Sequence, residues 1–338
     1  MKKIIFVFLI GMLTLTACHN QEIDYPDYKY TTVYFAYQSP VRTLVLGSDY
    51  EYDNSLDTAH QCMIYATMGG VYSNTVNRTL DIAVDNTLCN KLTFTTATGN
   101  AVLPMPSSYY TLASSQIVIP SGSIMGGIKV QLTDAFFADT LATSTNYVIP
   151  LRITKVANAD SILSGKALVS NPNLFVSTDW STLPKDYILY CVKYKNPWDA
   201  VYLRRGIETG SDTTVIYHQK YVENDQVVST AVTKSLKQLY LTLNAKTKGN
   251  ISLPFTLLLT FDNSGKCTVT QPAGTSNQTI TGSGSYLKNG DEWGNVKRDV
   301  LYLKYNLQSG SINHTMTDTL VIRDRAEAFQ TFTPYYNQ

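Results

Sequence analysis

Charge is scarce in this sequence: only 16% of its 338 residues are Asp, Glu, Lys or Arg, and the 27 basic and 26 acidic residues nearly cancel. No basic run or stripe occurs, which excludes the electrostatic footprint of a nucleic-acid partner. Histidine is thin and scattered (His19, His60, His218, His314), and no Cys-x-x-Cys pair or Cys/His cluster is present, so no metal site and no cofactor are expected. Glutamate is sparse (Glu22, Glu51, Glu208, Glu223, Glu292, Glu327) and falls in no acidic strand-end cluster. No alternation of strands and helices points to a TIM barrel, and no paired carboxylates suggest a glycosidase. Gly282-Ser283-Gly284-Ser285 lacks both the spacing and the following helix of a nucleophile elbow. The expectation is a chain that is not an enzyme. Long apolar runs are missing too, apart from Ile4 to Leu15, which is too short to span a bilayer.

That one run carries information. Lys2 and Lys3 precede it and Leu15-Thr16-Ala17-Cys18 closes it, an arrangement that resembles a bacterial lipobox. The resemblance implies a signal peptide over residues 1–17, cleavage before Cys18 and a diacylglyceryl thioether on its thiol. Two acyl chains at about 0.8 kcal/mol per buried CH2 hold such an anchor stably. The mature chain is then exported and touches the membrane through its lipid alone. Losing Lys2 and Lys3 takes its formal charge from +1 to −1. Residues 18–29, polar and acidic at Glu22, Asp24 and Asp27, read as a lipidated tether.

From residue 30 onward the chain is rich in Thr, Ser, Asn and Tyr, a mixture suited to strands and turns facing water. Short alternating runs are punctuated by Gly, Pro, Asn and Ser: 31–37, 42–46, 61–67, 79–84, 116–119, 127–132 and 147–153. This predicts an immunoglobulin-like antiparallel sandwich over residues 30–170. Only 134–142 has helical character. Residues 171–186 lose alternation and read as a linker. Runs resume at 187–194 and continue to 315–323, including Phe255, Leu257, Leu259 and Phe261 on one face. So many strands in residues 187–328 must hide their edges, which predicts an antiparallel β-barrel, lipocalin-like, or a second sandwich. Residues 329–338 read as a tail. The fold class is all-β.

An exported chain permits disulfides, and Cys62–Cys89 and Cys191–Cys267 would each staple one half. The competing reading, four small buried apolar residues, is preferred, because a sequence does not show the Cα separations a bridge requires. Candidate ligand platforms are aromatic rings in polar turns. Trp293 lies in Asp291-Glu292-Trp293-Gly294-Asn295, where Asp291, Glu292 and Asn295 could meet hydroxyls, and Trp198 lies in Asn196-Pro197-Trp198-Asp199. Each ring could instead fold back to plug a barrel end, and burial is the commoner fate of indole. Of Tyr109 and Tyr110, one is expected buried and one exposed.

Val84-Asp85-Asn86 with Leu88, LPMPSSYYTL at 103–112, Ile119-Pro120-Ser121-Gly122 and YVIPLRI at 147–153 resemble a family of Bacteroidetes surface lipoproteins with an N-terminal adhesin-like domain of unknown function. GSGSYLKNGDEWGNVKRDVLYLKY at 282–305 and DTLVIR at 318–323 resemble the closing strands of the β-rich module often fused to it. The resemblance implies an outer-membrane, cell-surface protein encoded in a polysaccharide-utilisation cluster. Its implied partners are a glycan ligand and an outer-membrane transporter complex; an adhesive or structural lipoprotein binding proteins is the alternative. Asp-(Ser/Thr)-aliphatic triplets resemble O-glycosylation acceptors of the same phylum, with Thr58 and Ser161, in expected loops, the favoured positions.

Overall fold

The computed structural model describes residues 28, 30–210 and 213–337. The leader, Cys18 and nearly all of the tether lie outside the described residues. Strands dominate and helices are one or two turns long, so the chain is all-β as expected.

Two sheets face each other in the first half. One has five strands in the order Ser161–Ile162, Thr32–Tyr34, Gln61–Gly69, Met125–Leu132, Tyr110–Leu112. The other runs Gln330–Thr331, Pro40–Val45, Tyr187–Lys195, Tyr147–Ala157, Arg78–Val84, Gln116–Ile119. Alternation explains the layering: on Gln61–Gly69 the inward residues are Cys62, Ile64, Ala66 and Met68, and on Arg78–Val84 they are Leu80 and Ile82. These meet Val33, Ile117, Ile149 and Leu151 in one dry layer. Asp134–Ala138 supplies the expected helical turn and buries Phe136 and Phe137.

Two sequence expectations need correction. Tyr187–Lys195, assigned above to the second module, is a central strand of the sandwich, parallel to Pro40–Val45 and antiparallel to Tyr147–Ala157. It is buried on both faces: Ile188, Tyr190, Val192 and Tyr194 enter the sandwich core, and Tyr187, Leu189 and Cys191 enter a second cluster with Leu88, Leu92, Phe94 and Phe332. A strand covered on both sides carries no alternation to betray its partners. The supposed tail is likewise structured. Gln330–Thr331 pairs with Pro40–Val41, and Pro334–Tyr336 pairs with Leu92–Phe94. The end of the described chain is therefore a strap across the sandwich.

The second module is one curled sheet. Its order is Thr214–Tyr217, Val201–Gly210, Ile312–Asp324, Val296–Ser309, Thr279–Trp293, Lys266–Thr270, Ser252–Phe261, Gln238–Lys246, Ala231–Ser235. Gln226–Val228 pairs with Val201–Gly210, while Ala231–Ser235 pairs with Gln238–Lys246, so the segment 226–235 touches both ends of the curl. The barrel-like expectation fits this better than a second sandwich. Leu239, Leu241, Phe255, Leu257, Leu303 and Met316 fill the interior.

Candidate functional site

An apolar cleft rimmed by exposed rings lies on the sandwich. Tyr37, Tyr65 and Phe329 are 55%, 51% and 66% exposed and border a cavity of about 430 Å³ with Leu56 and Met125. Val41, Cys62, Ile188 and Tyr190 form its floor. Tyr37 and Phe329 stand with ring centroids 4.8 Å apart and planes tilted by 53°. Tyr65 points outward from Gln61–Gly69 opposite Gly127, and a Cβ on Gly127 would come within 2.7 Å of its ring. The missing side chain is what lets the tyrosine lie against the sheet. Exposed rings gathered round a cleft are unusual on a surface where single apolar residues are the norm.

A polar recess of about 320 Å³ adjoins this cleft and shares Val41, Arg42 and Phe329 with it. Asp49, Tyr52, Asp53, Asn54, Asp57 and Glu327 line it. Arg42 pairs with Asp57, whose second oxygen accepts the Val45 N–H at 2.9 Å. Burial raises the Asp57 carboxyl pKa, against the pull of that N–H and of Arg42. Asn54 donates to the Val45 and Gly47 carbonyls at 2.9 and 2.7 Å, which fixes the recess wall. Aromatic faces can stack on the CH-rich faces of sugar rings, and adjacent carboxylates and amides can bond their hydroxyls. Nothing in the sequence reading pointed here, because Tyr37 and Phe329 stand nearly three hundred residues apart.

The sequence-derived candidates sit elsewhere. Asp291, Glu292 and Trp293 do cluster, but on paired strands: Asp291 faces Arg298, Glu292 faces Lys297 and Trp293 faces Val296. The expected polar loop shrinks to a turn at Gly294 and Asn295, both with φ of +59°. The Arg298 guanidinium lies 4.8 Å from the Trp293 ring centre and 4.3 Å from that of Tyr50, so it covers one indole face. Trp198 is not brought near a surface site. It is 8% exposed and stacks on Phe261 at 3.6 Å with planes 6° apart, so it plugs the curled sheet. Tyr110 is buried; Tyr109 is half-buried and donates to Asp139 at 3.0 Å. Thr58 is exposed at the end of the short helix Ser55–Thr58. Ser161 lies in a short strand beside Thr32 and is half-buried, contrary to the loop expected for it.

Cys62, Cys89, Cys191 and Cys267 are free and buried, which removes the two candidate disulfides. Cys191 belongs to the sandwich and Cys267 to the curled sheet, so the strand reassignment also separates that pair. No group of His, Cys, Asp or Glu suited to a metal ion occurs among the described residues.

The second module hides a polar cluster that the sequence did not announce. Arg204 and Asp318, both fully buried, form a two-pronged pair at 2.8 and 3.2 Å, and Tyr305 donates to Asp318 at 2.7 Å. Tyr217 lies under Arg204, 3.9 Å from ring centre to guanidinium, and donates to Glu208 at 2.6 Å. His314 Nδ1 approaches Glu208 at 2.9 Å, off the line of a good hydrogen bond. Gly206 and Gly210 make room: a Cβ on either would strike Asp318 or the His314 ring. The carboxylates are sealed and paired, an arrangement that fixes register rather than meeting a substrate.

The fold and cleft define a two-module all-β protein with an open aromatic groove on its sandwich. Residues 28–160 match a family model described as an N-terminal domain, and residues 197–326 match the domain of unknown function DUF5627. A solved structure from Bacteroides ovatus, of unknown function, is 43% identical; the match covers 92% of this chain and all of that one, with a TM-score of 0.84. The chain belongs to the family of that Bacteroides ovatus protein. Two further Bacteroides ovatus structures are each 12% identical. One, of unknown function, has a TM-score of 0.41 over 90% of this chain and 99% of its own; the other, a candidate carbohydrate-binding protein, has 0.28 over 89% and 97%. No curated protein matches the chain.

Proposed function

We propose that this protein is a non-catalytic glycan-binding lipoprotein, anchored at Cys18 in the outer membrane and serving a polysaccharide-uptake system through a neighbouring transporter complex. The observation that carries the glycan reading is the groove of Tyr37, Tyr65 and Phe329 beside the Arg42–Asp57 recess. It pairs ring faces with hydrogen-bonding groups, which is what a pyranose needs. The site is thus moved from the second module, where Trp293 suggested it, to the sandwich. Anchoring rests on the residues ending in Leu15-Thr16-Ala17-Cys18.

Affinity electrophoresis against a broad panel of neutral and charged polysaccharides tests the reading. At least one should retard the protein, and Tyr37→Ala or Phe329→Ala should abolish that retardation. Folded protein that no glycan retards refutes it. The same exposed rings also suit an adhesive role toward a protein partner, in which case no glycan binds and the two substitutions disrupt a protein complex instead. For the anchor, intact mass from the native host should show a diacylglyceryl group that Cys18→Ser removes.

A further inference from the structure

We infer that the groove accepts uncharged or amine-bearing glycans and rejects glycans carrying uronate or sulfate groups, a selectivity that rests on the glycan-binding reading above. The lining of the two adjoining recesses includes four carboxylates, Asp49, Asp53, Asp57 and Glu327, and a single cation, Arg42. That cation is committed: its guanidinium pairs with Asp57 and donates to the Thr43 carbonyl at 2.6 Å. Lys195, which reaches Glu327 from outside the lining, also donates to the Arg325 carbonyl at 3.1 Å. Both cations are thus already paired with a carboxylate, which leaves Asp49 and Asp53 as the uncompensated charge. Asp49 and Asp53 each use one oxygen on backbone N–H groups, of Glu51 and Tyr52 and of Ser55, and among the described residues no cation pairs with either. The aromatic ring faces are electron-rich and so also disfavour an anion stacked on them.

An anionic group seated here would face the uncompensated Asp49, half-buried, and Asp53, exposed, whose repulsion is partly screened by solvent. The expected discrimination is several-fold against the anion at low salt. A protonated amine would be favoured by the same field.

The test uses a matched pair: the best neutral ligand from the polysaccharide panel and its C6-oxidised derivative, whose hydroxymethyl groups have become carboxylates. Isothermal titration at low salt should give several-fold weaker binding for the oxidised form. Raising the salt concentration, or the double substitution Asp49→Asn with Asp53→Asn, should narrow that gap; asparagine retains the oxygen that caps the local N–H groups. Equal or tighter binding of the oxidised glycan overturns the inference and leaves glycan binding intact, as does a panel in which only anionic polysaccharides bind. A gap insensitive to both salt and the double substitution also overturns it, since the cause would then be a lost hydroxyl. If nothing on the panel binds, the glycan reading itself falls and this inference with it.

Discussion

Substituting Phe332 tests whether the strap is a detachable element. Phe332 is 9% exposed, with its ring centre 4.5 Å from that of Phe94, and its N–H donates to the Ser39 carbonyl at 2.9 Å. A buried phenylalanine cut to alanine in a closed core costs about 3–5 kcal/mol. The strap, however, is held through two short strand pairings on the rim and can leave without opening the sandwich core or the curled sheet. Its one well-buried ring contributes about 1.5–3 kcal/mol and each hydrogen bond about 1 kcal/mol. Ordering each residue costs about 1–2 kcal/mol of backbone entropy, so its docking is marginal. Phe332→Ala should therefore release the strap locally: hydrogen exchange at residues 329–337 becomes fast, while denaturant melts show a global loss of only about 1–2 kcal/mol. Because Phe329 forms one wall of the aromatic groove, glycan binding should fall with it. A global loss of about 3–5 kcal/mol with the strap still protected would refute this reasoning, since the strap would then unfold only with the sandwich.

The remaining expectations concern charge and burial. Arg204→Met strands a sealed Asp318 and should cost about 3–5 kcal/mol in urea melts, with much of that recovered when Asp318→Leu is added; additive losses would show the pair to be uncoupled. Burial pushes the thiols of Cys62, Cys89, Cys191 and Cys267 up to about 12, so a form lacking residues 1–27 should react with a thiol-specific dye only after denaturation. A reducing agent should leave its melting temperature unchanged. Burial opposes ionisation of Asp299, but hydrogen bonds from Tyr286, the Asn289 N–H and Tyr50 outweigh it and hold the carboxyl below its ordinary value. That stabilisation is complete above about pH 4, the unfolded value, and fades as pH falls through the folded one, so the stability gap between wild type and Asp299→Asn should shrink in acid melts. Tyr50→Phe leaves the Asp299 N–H, now bonded to the Tyr50 oxygen at 2.7 Å, without that acceptor, and should cost about 1–3 kcal/mol by calorimetry.

The strands were legible wherever one face was wet. Thr79 to Val84 and Phe255 to Phe261 alternate because each has a dry and a solvated side, and both form the strands expected of them. Tyr187–Lys195 was visible as a strand but not as part of the sandwich, because both its faces are dry. The strap was hidden for a different reason: its few apolar residues are spaced for docking onto a distant surface, with no periodicity of their own. Trp198 and Trp293 drew attention by residue type, yet indole binds best where it is buried, and here one plugs a sheet and the other holds an arginine. Tyr37, Tyr65 and Phe329 had no local signal at all. Only pairing Pro40–Val41 with Gln330–Thr331 brings the first and last of them together.

That pairing also gives the curled sheet a physical task. Its interior is filled by side chains and its polar cluster is sealed, which leaves its ends and outer face to act. The loop that bears Asp49, Tyr52 and Asp53 begins at Gly47, packed against Pro197, and its Ser48 carbonyl accepts from Arg325 at 2.8 Å. Arg325 also donates to the Pro197 and Asp199 carbonyls at 2.7 and 3.1 Å, and Tyr50 lies against Arg298. The recess wall and the start of the strap are thus both clamped where the modules meet. Without the second module, Asp49 and Asp53 would ride on an untethered loop and Phe329 on a free end. The groove belongs to the sandwich by position, but its geometry is set by the sheet behind it.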